Sequence, residues 1–236
     1  MRIRIVSCLA GARSVEGVAV IIDVFRAGNT VAALLDAGAP FIVPVTELDQ
    51  ARELKAQHPD WLLVGEREGL KPEGFDLNNS PAEVLGVKTV RTPAVMTTSA
   101  GTRGLTAAAP KAEALFMATL INARAAAYLI RALAPATVTL VPIGLNAMEP
   151  AEEDEMVAGY LAALIRGETG DYRTVVRAML KGSGAARLRR LGQWRDLAFC
   201  LRLDRFDLVP QARVRDGRLV LIAARRSQAT IREDHV

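Results

Sequence analysis

Residues able to do chemistry recur in this chain at one kind of place, the end of an apolar run. VAVIID (18–23) ends in Asp23, with Arg26 three residues on. WLLVGE (61–66) ends in Glu66 and opens the loop GEREGLKPEGFDLNNSP (65–81), which closes on Asn79 and Ser80. AVMTT (94–98) contributes Thr97 and Thr98 and runs into Ser99, Gly101, Thr102 and Arg103. ALFMATLIN (114–122) reaches Asn122. TLVPIG (139–144) reaches Gly144 and Asn146, shortly before the acidic Glu152-Glu153-Asp154-Glu155. Carboxylates of this kind supply hard oxygen ligands for Mg²⁺. Arginines, hydroxyls and the free N–H groups of a helix N-terminus bind anions.

Each feature also has an ordinary structural explanation. TTSAGTRG (97–104) reads equally as a strand-to-helix turn with Thr and Ser caps. Ser80-Pro81-Ala82-Glu83 is a capping box with Pro at the first helical position, so Ser80 reads as a cap before it reads as a nucleophile. The acids at 152–155 complement the dipole of a helix that they open. Glu153 and Asp154, however, share helical spacing with the apolar Val157, Tyr160 and Leu161, and so lean toward the core side. On that side Glu153 and Asp154 could join Asp23 or Glu66 as oxygen ligands for Mg²⁺, with Asp154 the one carried forward as the candidate.

Other chemistries are excluded. The two histidines, His58 and His235, read as surface residues, which leaves no histidine-based nucleophile or multi-histidine metal site. Cys8 and Cys200 lie too far apart for a disulfide framework or a zinc cluster and read as packing residues. Each has an Arg after four intervening residues, one short of the thiolate-phosphatase loop. No GxSxG elbow surrounds Ser80. Asp23 lacks the second Asp, two positions on, of the aspartyl-phosphate motif; Phe25 stands there.

These residues need elements to position them. The chain has 236 residues, 50% of them apolar, enough for one large core or two small ones. It carries no run of about 20 apolar residues and no apolar signal-peptide segment, and the expectation is a soluble, cytoplasmic protein without a membrane partner. Six apolar runs, at 18–23, 41–45, 61–66, 94–98, 114–119 and 137–144, alternate with helical patterns at 30–38, 47–58, 80–86, 101–109 and 121–133. That alternation predicts an α/β protein, a three-layer α/β/α sandwich on a largely parallel sheet. In such sheets ligands bind beyond the carboxyl ends of the strands, where the polar residues named above fall. From residue 150 the pattern turns helical, at 151–167, 171–181 and 185–203, and two short strand-like pieces, 206–210 and 218–223, follow. The expectation is a single domain over 1–236 with a helical C-terminal extension and its weakest seam near 150.

Net charge is +4, unevenly placed: residues 187–236 hold 12 Arg against 6 Asp and Glu, or +6, which leaves −2 for the rest. The arginines alternate with apolar residues and no aromatics interleave a basic run. They read as solvated faces of ordered elements, not as a nucleic-acid surface. The apolar surplus suits a homodimer.

DVFRAGNT (23–30), GEREGLKPEGFDLNNSP (65–81), TTSAGTRGL (97–105), EDEMVAG (153–159) and DLAFCLRLDRFDLVP (196–210) occur in that order. Together they resemble the 2-phosphosulfolactate phosphatase family, a Mg²⁺-dependent group linked to coenzyme M biosynthesis. The resemblance spans nearly the whole chain, and the 65–81 loop is its most specific part. It implies an α/β/α fold and hydrolysis of a phosphate monoester on a small anionic acid. By position it implies site roles for Asp23, Arg26, Glu66, Asn79, Ser80, Thr97, Thr98, Gly101, Thr102, Arg103, Asn122 and Asp154. The chain departs from the family pattern at Ala100, where the family's loop carries Asn, at Asn78, where it carries Gly, and at Gly28 and Asn29, where it carries small hydroxyl residues.

The leading expectation is a Mg²⁺-dependent phosphatase. Asp23, Glu66 or Asp154 would hold the metal. Arg26, Arg103 and the loop N–H groups would stabilise charge. A carboxylate, Asp23 or Glu66, would position water or attack directly. Ala100 motivates an alternative, a non-catalytic binder of a small phosphorylated acid on the same scaffold.

Overall fold

The computed structural model describes residues 1–87 and 89–225; His235 and the last arginines of the basic stretch lie outside them. Along the chain come β1 (Arg2–Ile5), α1 (Cys8–Ala12), β2 (Val18–Ile22), α2 (Ala27–Asp36), β3 (Ile42–Val45), α3 (Leu48–Gln57) and β4 (Leu62–Gly65). The short β5 (Leu77–Asn78) and α4 (Pro81–Gly86) follow, then β6 (Ala94–Thr97), α5 (Gly101–Ala108) and β7 (Ala114–Met117). A 3₁₀ turn at Leu120–Asn122 leads into α6 (Ala123–Leu133) and β8 (Thr137–Pro142). Last come α7 (Glu152–Arg166), α8 (Tyr172–Lys181), α9 (Ser183–Arg190), α10 (Trp194–Cys200), β9 (Leu208–Arg215) and β10 (Arg218–Arg225).

The ten strands form one mixed, mostly parallel sheet in the order β1-β8-β2-β7-β9-β10-β3-β6-β4-β5. The α/β reading holds, and the helices α7–α10 form the expected C-terminal segment. Strand residues alternate between two cores, as a period of two requires. Ala19 and Ile21 pack with α2 and α5, while Val18, Val20 and Ile22 pack with α6 and α7. VAVII is therefore apolar throughout because both of its faces are covered. Helix α2 is buried through nine of its ten residues, which explains its small AGNTVAALL sequence: neighbours approach it from every side.

Three features differ from the expectation. The segment 185–203 is two helices, α9 and α10, interrupted at 191–193, where Gly192 takes a left-handed φ of +70°. Residues 2–5 form a strand that the pattern of short apolar runs did not reveal; its alternating Arg and Ile mark a sheet edge. The terminal strand-like pieces are eight residues each and lie at the middle of the sheet, not at its border.

That last placement decides the geometry. β1, β8, β2 and β7 are parallel to one another, and so are β3, β6, β4 and β5. The hairpin β9–β10 joins β7 to β3 through three successive antiparallel pairings. Three reversals leave the two parallel halves running in opposite senses along the ladder. A flat sheet would then put the carboxyl ends of β2 and β6 at opposite borders. The structure instead brings Gly101, just past β6, against Asp23, just past β2. Sheet twist of roughly 20–25° per strand, accumulated over the five steps from β2 to β6, swings the halves toward each other. The curved sheet wraps α2 and α5, and the carboxyl ends of both halves meet at one corner.

The hairpin thus holds the halves in their relative orientation, and Leu221 of β10, paired with Ile42 and fully buried, is its anchor. Leu221→Ala is expected to lower stability by about 2–5 kcal/mol. Urea unfolding followed by far-UV circular dichroism checks this as a lowered midpoint at unchanged slope.

Candidate active site

A cavity of about 420 Å³ opens at the corner where the half-sheets meet. Its acidic wall is Asp23, Glu66, Glu153 and Asp154, and Arg26 stands beside them. Asp23 is held by two helix N-termini at once. Its Oδ1 accepts the Ala27 N–H of α2 at 3.0 Å, and its carboxylate also accepts the Gly101 N–H of α5. Helix N-termini favour an anion. Burial works the other way and wins: desolvation, with the nearby charges of Glu66 and Glu153, pushes the Asp23 carboxyl up to about 7. α5 reaches Asp23 only because residue 101 has no side chain. A Cβ there would sit 2.8 Å from Asp23 Oδ2 and 2.7 Å from Ala27 Cβ.

The other carboxylates organise loops. Glu66 Oε2 accepts the Gly69 N–H and Oε1 the Ser99 N–H, both at 2.7 Å, which ties the 65–81 loop to the turn after β6. Asp154 Oδ1 accepts the Val24 N–H at 2.8 Å and Oδ2 the Gly144 N–H at 2.9 Å. Burial first, then the charge of Asp23, raises the Asp154 carboxyl well above its ordinary range. Glu153 differs. It is only 5% exposed, its Oε2 has no hydrogen-bond partner, and burial, then Glu152, raises its carboxyl. Gly184 lies directly against it, since a Cβ at that position would meet Glu153 Oε1 at 2.0 Å.

Arg26 is buried with Asp196 of α10. Nη1 donates to Asp196 Oδ2 at 2.6 Å and Nη2 to the Gly69 carbonyl at 2.9 Å. Asp196 Oδ1 accepts from Ser80 Oγ at 2.6 Å and from the Ala82 N–H at 3.0 Å. A buried pair whose remaining lone pairs find donors is the stable form of such a contact.

Of the residues singled out in the sequence, Asp23, Arg26, Glu66, Asn79, Ser99 and Asp154 line the cavity. Asn79 presents a buried Oδ1 without a partner. Gly101 reaches the site through Asp23. Ser80 reaches it through Asp196, and it also caps α4 by accepting the Glu83 N–H at 3.1 Å; the reciprocal half of the expected capping box does not form, because Glu83 Oε2 accepts the Asn78 N–H at 2.8 Å instead. Thr97, Thr98, Thr102, Arg103 and Asn122 do not line the cavity. Thr97 Oγ1 accepts from Arg67 at 3.0 Å. Thr98 Oγ1 accepts the Thr102 N–H at 3.2 Å, supplying the cap that Ala100 cannot. Asn122 caps its own 3₁₀ turn and donates to the Leu208 carbonyl at 3.2 Å, anchoring the start of β9. The amides of Ser99, Gly101 and Thr102 thus hold protein oxygens, whereas the sequence had offered this turn to a bound anion.

Glu153 enters the candidates only through its spacing beside Asp154, and Asp196 is not among them. Helical spacing turned Glu153 inward together with Asp154, and that was its only signal. Asp196 carried none of its own, because its partner lies 170 residues away.

Buried carboxylates and a fixed arginine around one cavity, at the strand ends of an α/β sheet, mark a candidate small-molecule site. The family model described as 2-phosphosulpholactate phosphatase matches residues 6–214. A protein of Carboxydothermus hydrogenoformans named "Probable 2-phosphosulfolactate phosphatase" is 34% identical over 221 residues, covering 87% of this chain and 90% of its own. Proteins of the same name from Thermus thermophilus and Caldicellulosiruptor saccharolyticus are 33% and 35% identical, over 86% and 84% of this chain and 91% and 90% of theirs. The chain belongs to the 2-phosphosulfolactate phosphatase family, whose members are phosphoric monoester hydrolases.

Removing the Asp196 carboxylate would leave the Arg26 charge buried and unpaired. Asp196→Ala is expected to lower stability by about 3–5 kcal/mol. With Arg26→Met in the same chain, the loss should be smaller than the sum of the single losses. Urea unfolding of the four chains of this double-mutant cycle measures the coupling.

Proposed function

We propose that the chain hydrolyses the phosphate monoester of a small anionic acid, 2-phosphosulfolactate or a similar 2-phospho-acid, with Mg²⁺ as cofactor. Water and the ester give the hydroxy acid and inorganic phosphate. The observation that carries this reading is the concentration of four buried acids around one cavity, three of them, Asp23, Glu153 and Asp154, with carboxyls raised first by burial and then by the charge of neighbouring acids. Like charges this close call for a cation.

The donor set fits Mg²⁺, which is bound through one or two carboxylates together with water and substrate phosphate. Among the described residues no three His, Cys, Asp or Glu side chains gather closely enough to hold a metal ion by themselves. An ion here would need water and substrate phosphate to complete its shell. Asp23 and Glu153 would hold the ion, Glu153 through the oxygen that lacks a partner. Glu66 and Asp154, the other expected ligands, each engage both oxygens with backbone amides and set the positions of the loops around it. When bound, the ion neutralises phosphoryl oxygens and favours attack at phosphorus. Arg26, with two of its five donors fixed by Asp196 and Gly69, keeps a permanent positive charge beside the cavity to stabilise the charge that develops there. Asn79 offers a further polar contact from the 65–81 loop.

Ala100, which lines the cavity, favours the second reading, a binder that has lost turnover. One assay separates them. Phosphate release from 2-phosphosulfolactate and 2-phospholactate is expected with Mg²⁺, to fall to background in EDTA, and to return when Mg²⁺ is restored. Undiminished turnover in EDTA removes the metal role. Calorimetric binding of both compounds without turnover of any monoester establishes the binder.

A further inference from the structure

The cavity has a second wall that the acids do not explain. α9 lies across it, and Arg187 and Arg190 line it from that helix. Their spacing of three places them on one face. The apolar residues Ala185 and Leu188 turn instead into a small core with Leu197. Arg189 points elsewhere, donating to the Leu180 carbonyl at 2.8 Å. Arg187 packs over Gly69: a Cβ there would lie 3.6 Å from Arg187 Nη2 and 3.8 Å from its Nε. The same Gly69 donates to Glu66 and accepts from Arg26, so Arg187 sits at the junction of the metal side and the arginine side of the site.

Among the described residues, the side chain of Arg189 makes a hydrogen bond, whereas those of Arg187 and Arg190 make no hydrogen bond or ion pair. That is unusual in a cavity lined by five carboxylates, Asp23, Glu66, Glu149, Glu153 and Asp154. The volume of about 420 Å³ between the two walls is that of a small-molecule site. A ligand seated there can meet both the acids and the two unengaged guanidinium groups.

We propose that Arg187 and Arg190 bind the second, non-reacting acidic group of the substrate, a carboxylate or a sulfonate, and thereby select phospho-acids over phosphate monoesters that lack one. This rests on the phosphatase reading of the cavity. A planar guanidinium matches both oxyanions with paired N–H donors, and two of them on one helix face accommodate a group bearing two or three oxygens. The acids, which would hold the cation, and the two arginines would then orient the two ends of one short substrate. The C-terminal helices supply the specificity, and the strand ends supply the reaction.

The test compares 2-phospholactate with 4-nitrophenyl phosphate, which has no second acid. Variants are Arg187→Gln, Arg190→Gln, the double variant and, as a control on the other face, Arg189→Gln. The arginines are half-buried or exposed, so the variants are expected to fold. For 2-phospholactate, each single change should raise KM about 10-fold with kcat little altered, as loss of one charge-assisted contact predicts. Arg187→Lys should recover part of that loss. The ratio of kcat/KM values for the two substrates should fall in the lining variants and stay fixed in Arg189→Gln. Equal losses on both substrates, or none on either, overturn the assignment while leaving the phosphatase reading intact. If the native protein turns over neither of these compounds nor 2-phosphosulfolactate, the phosphatase reading fails. Calorimetric binding of 2-phospholactate then decides the arginine role separately: affinity unchanged in the double variant overturns it.

Discussion

Asp23 is where the two halves of this protein are tied together. Its carboxylate accepts an amide from α2, which follows β2 in one half-sheet, and another from α5, which follows β6 in the other. Between those strands lie four others, including an antiparallel hairpin. Twist alone would bring the strand ends near each other. The shared carboxylate fixes them at hydrogen-bond distance, and the missing side chain at Gly101 allows the approach. A buried acid in that position is costly to ionise, and burial with the charges of Glu66 and Glu153 pushes its carboxyl up to about 7. The same desolvation and like charge that disfavour its ionised form suit it to meet a cation and a phosphate.

The neighbouring acids follow one plan. Glu66 joins two loops of one half-sheet, and Asp154 joins the turn after β2 to the turn after β8. Each carboxylate clamps two backbone amides, so the cavity wall is held by groups that also give it its charge. Arg26 and Asp196 do the corresponding work on the other side, fastening the 65–81 loop and the start of α4 to α10. The cavity is thereby built at a point where segments 100 to 170 residues apart must meet, and its geometry depends on the complete fold.

Local physics made much of this legible in the sequence. Apolar runs with a polar last residue gave the strands and their carboxyl ends, because both faces of those strands are buried. Ser80-Pro81-Ala82-Glu83 announced its helix start through capping chemistry alone. Helical spacing was enough to turn Glu153 and Asp154 inward. What stayed hidden depended on partners distant in the chain. Nothing in FDLVP or RLVLIA says that these segments enter the middle of a sheet, since edge and central strands of that length share one pattern. The break between α9 and α10 rests on a single glycine in a left-handed conformation. Asp196 and the α9 arginines look like ordinary helix-surface charges until the fold sets them beside the cavity.

The departures from the family pattern fall on the wall and its supports. Asn29 donates to the Val24 carbonyl at 2.7 Å and accepts from Thr119 at 3.1 Å, so it stiffens the turn that carries Asp23. Asn78 accepts the Asn79 N–H at 2.8 Å and holds the loop that presents Asn79. Ala100 leaves α5 without a side-chain cap of its own, yet Thr98 satisfies the Thr102 amide from the preceding turn, and the helix start is kept. A family Asn at position 100 would therefore be free of capping duty and would face the cavity. Ala presents only a methyl group to that wall and leaves the amides on Asp23 in place. Such a difference would change what fits in the cavity while keeping its carboxylates and its buried arginine.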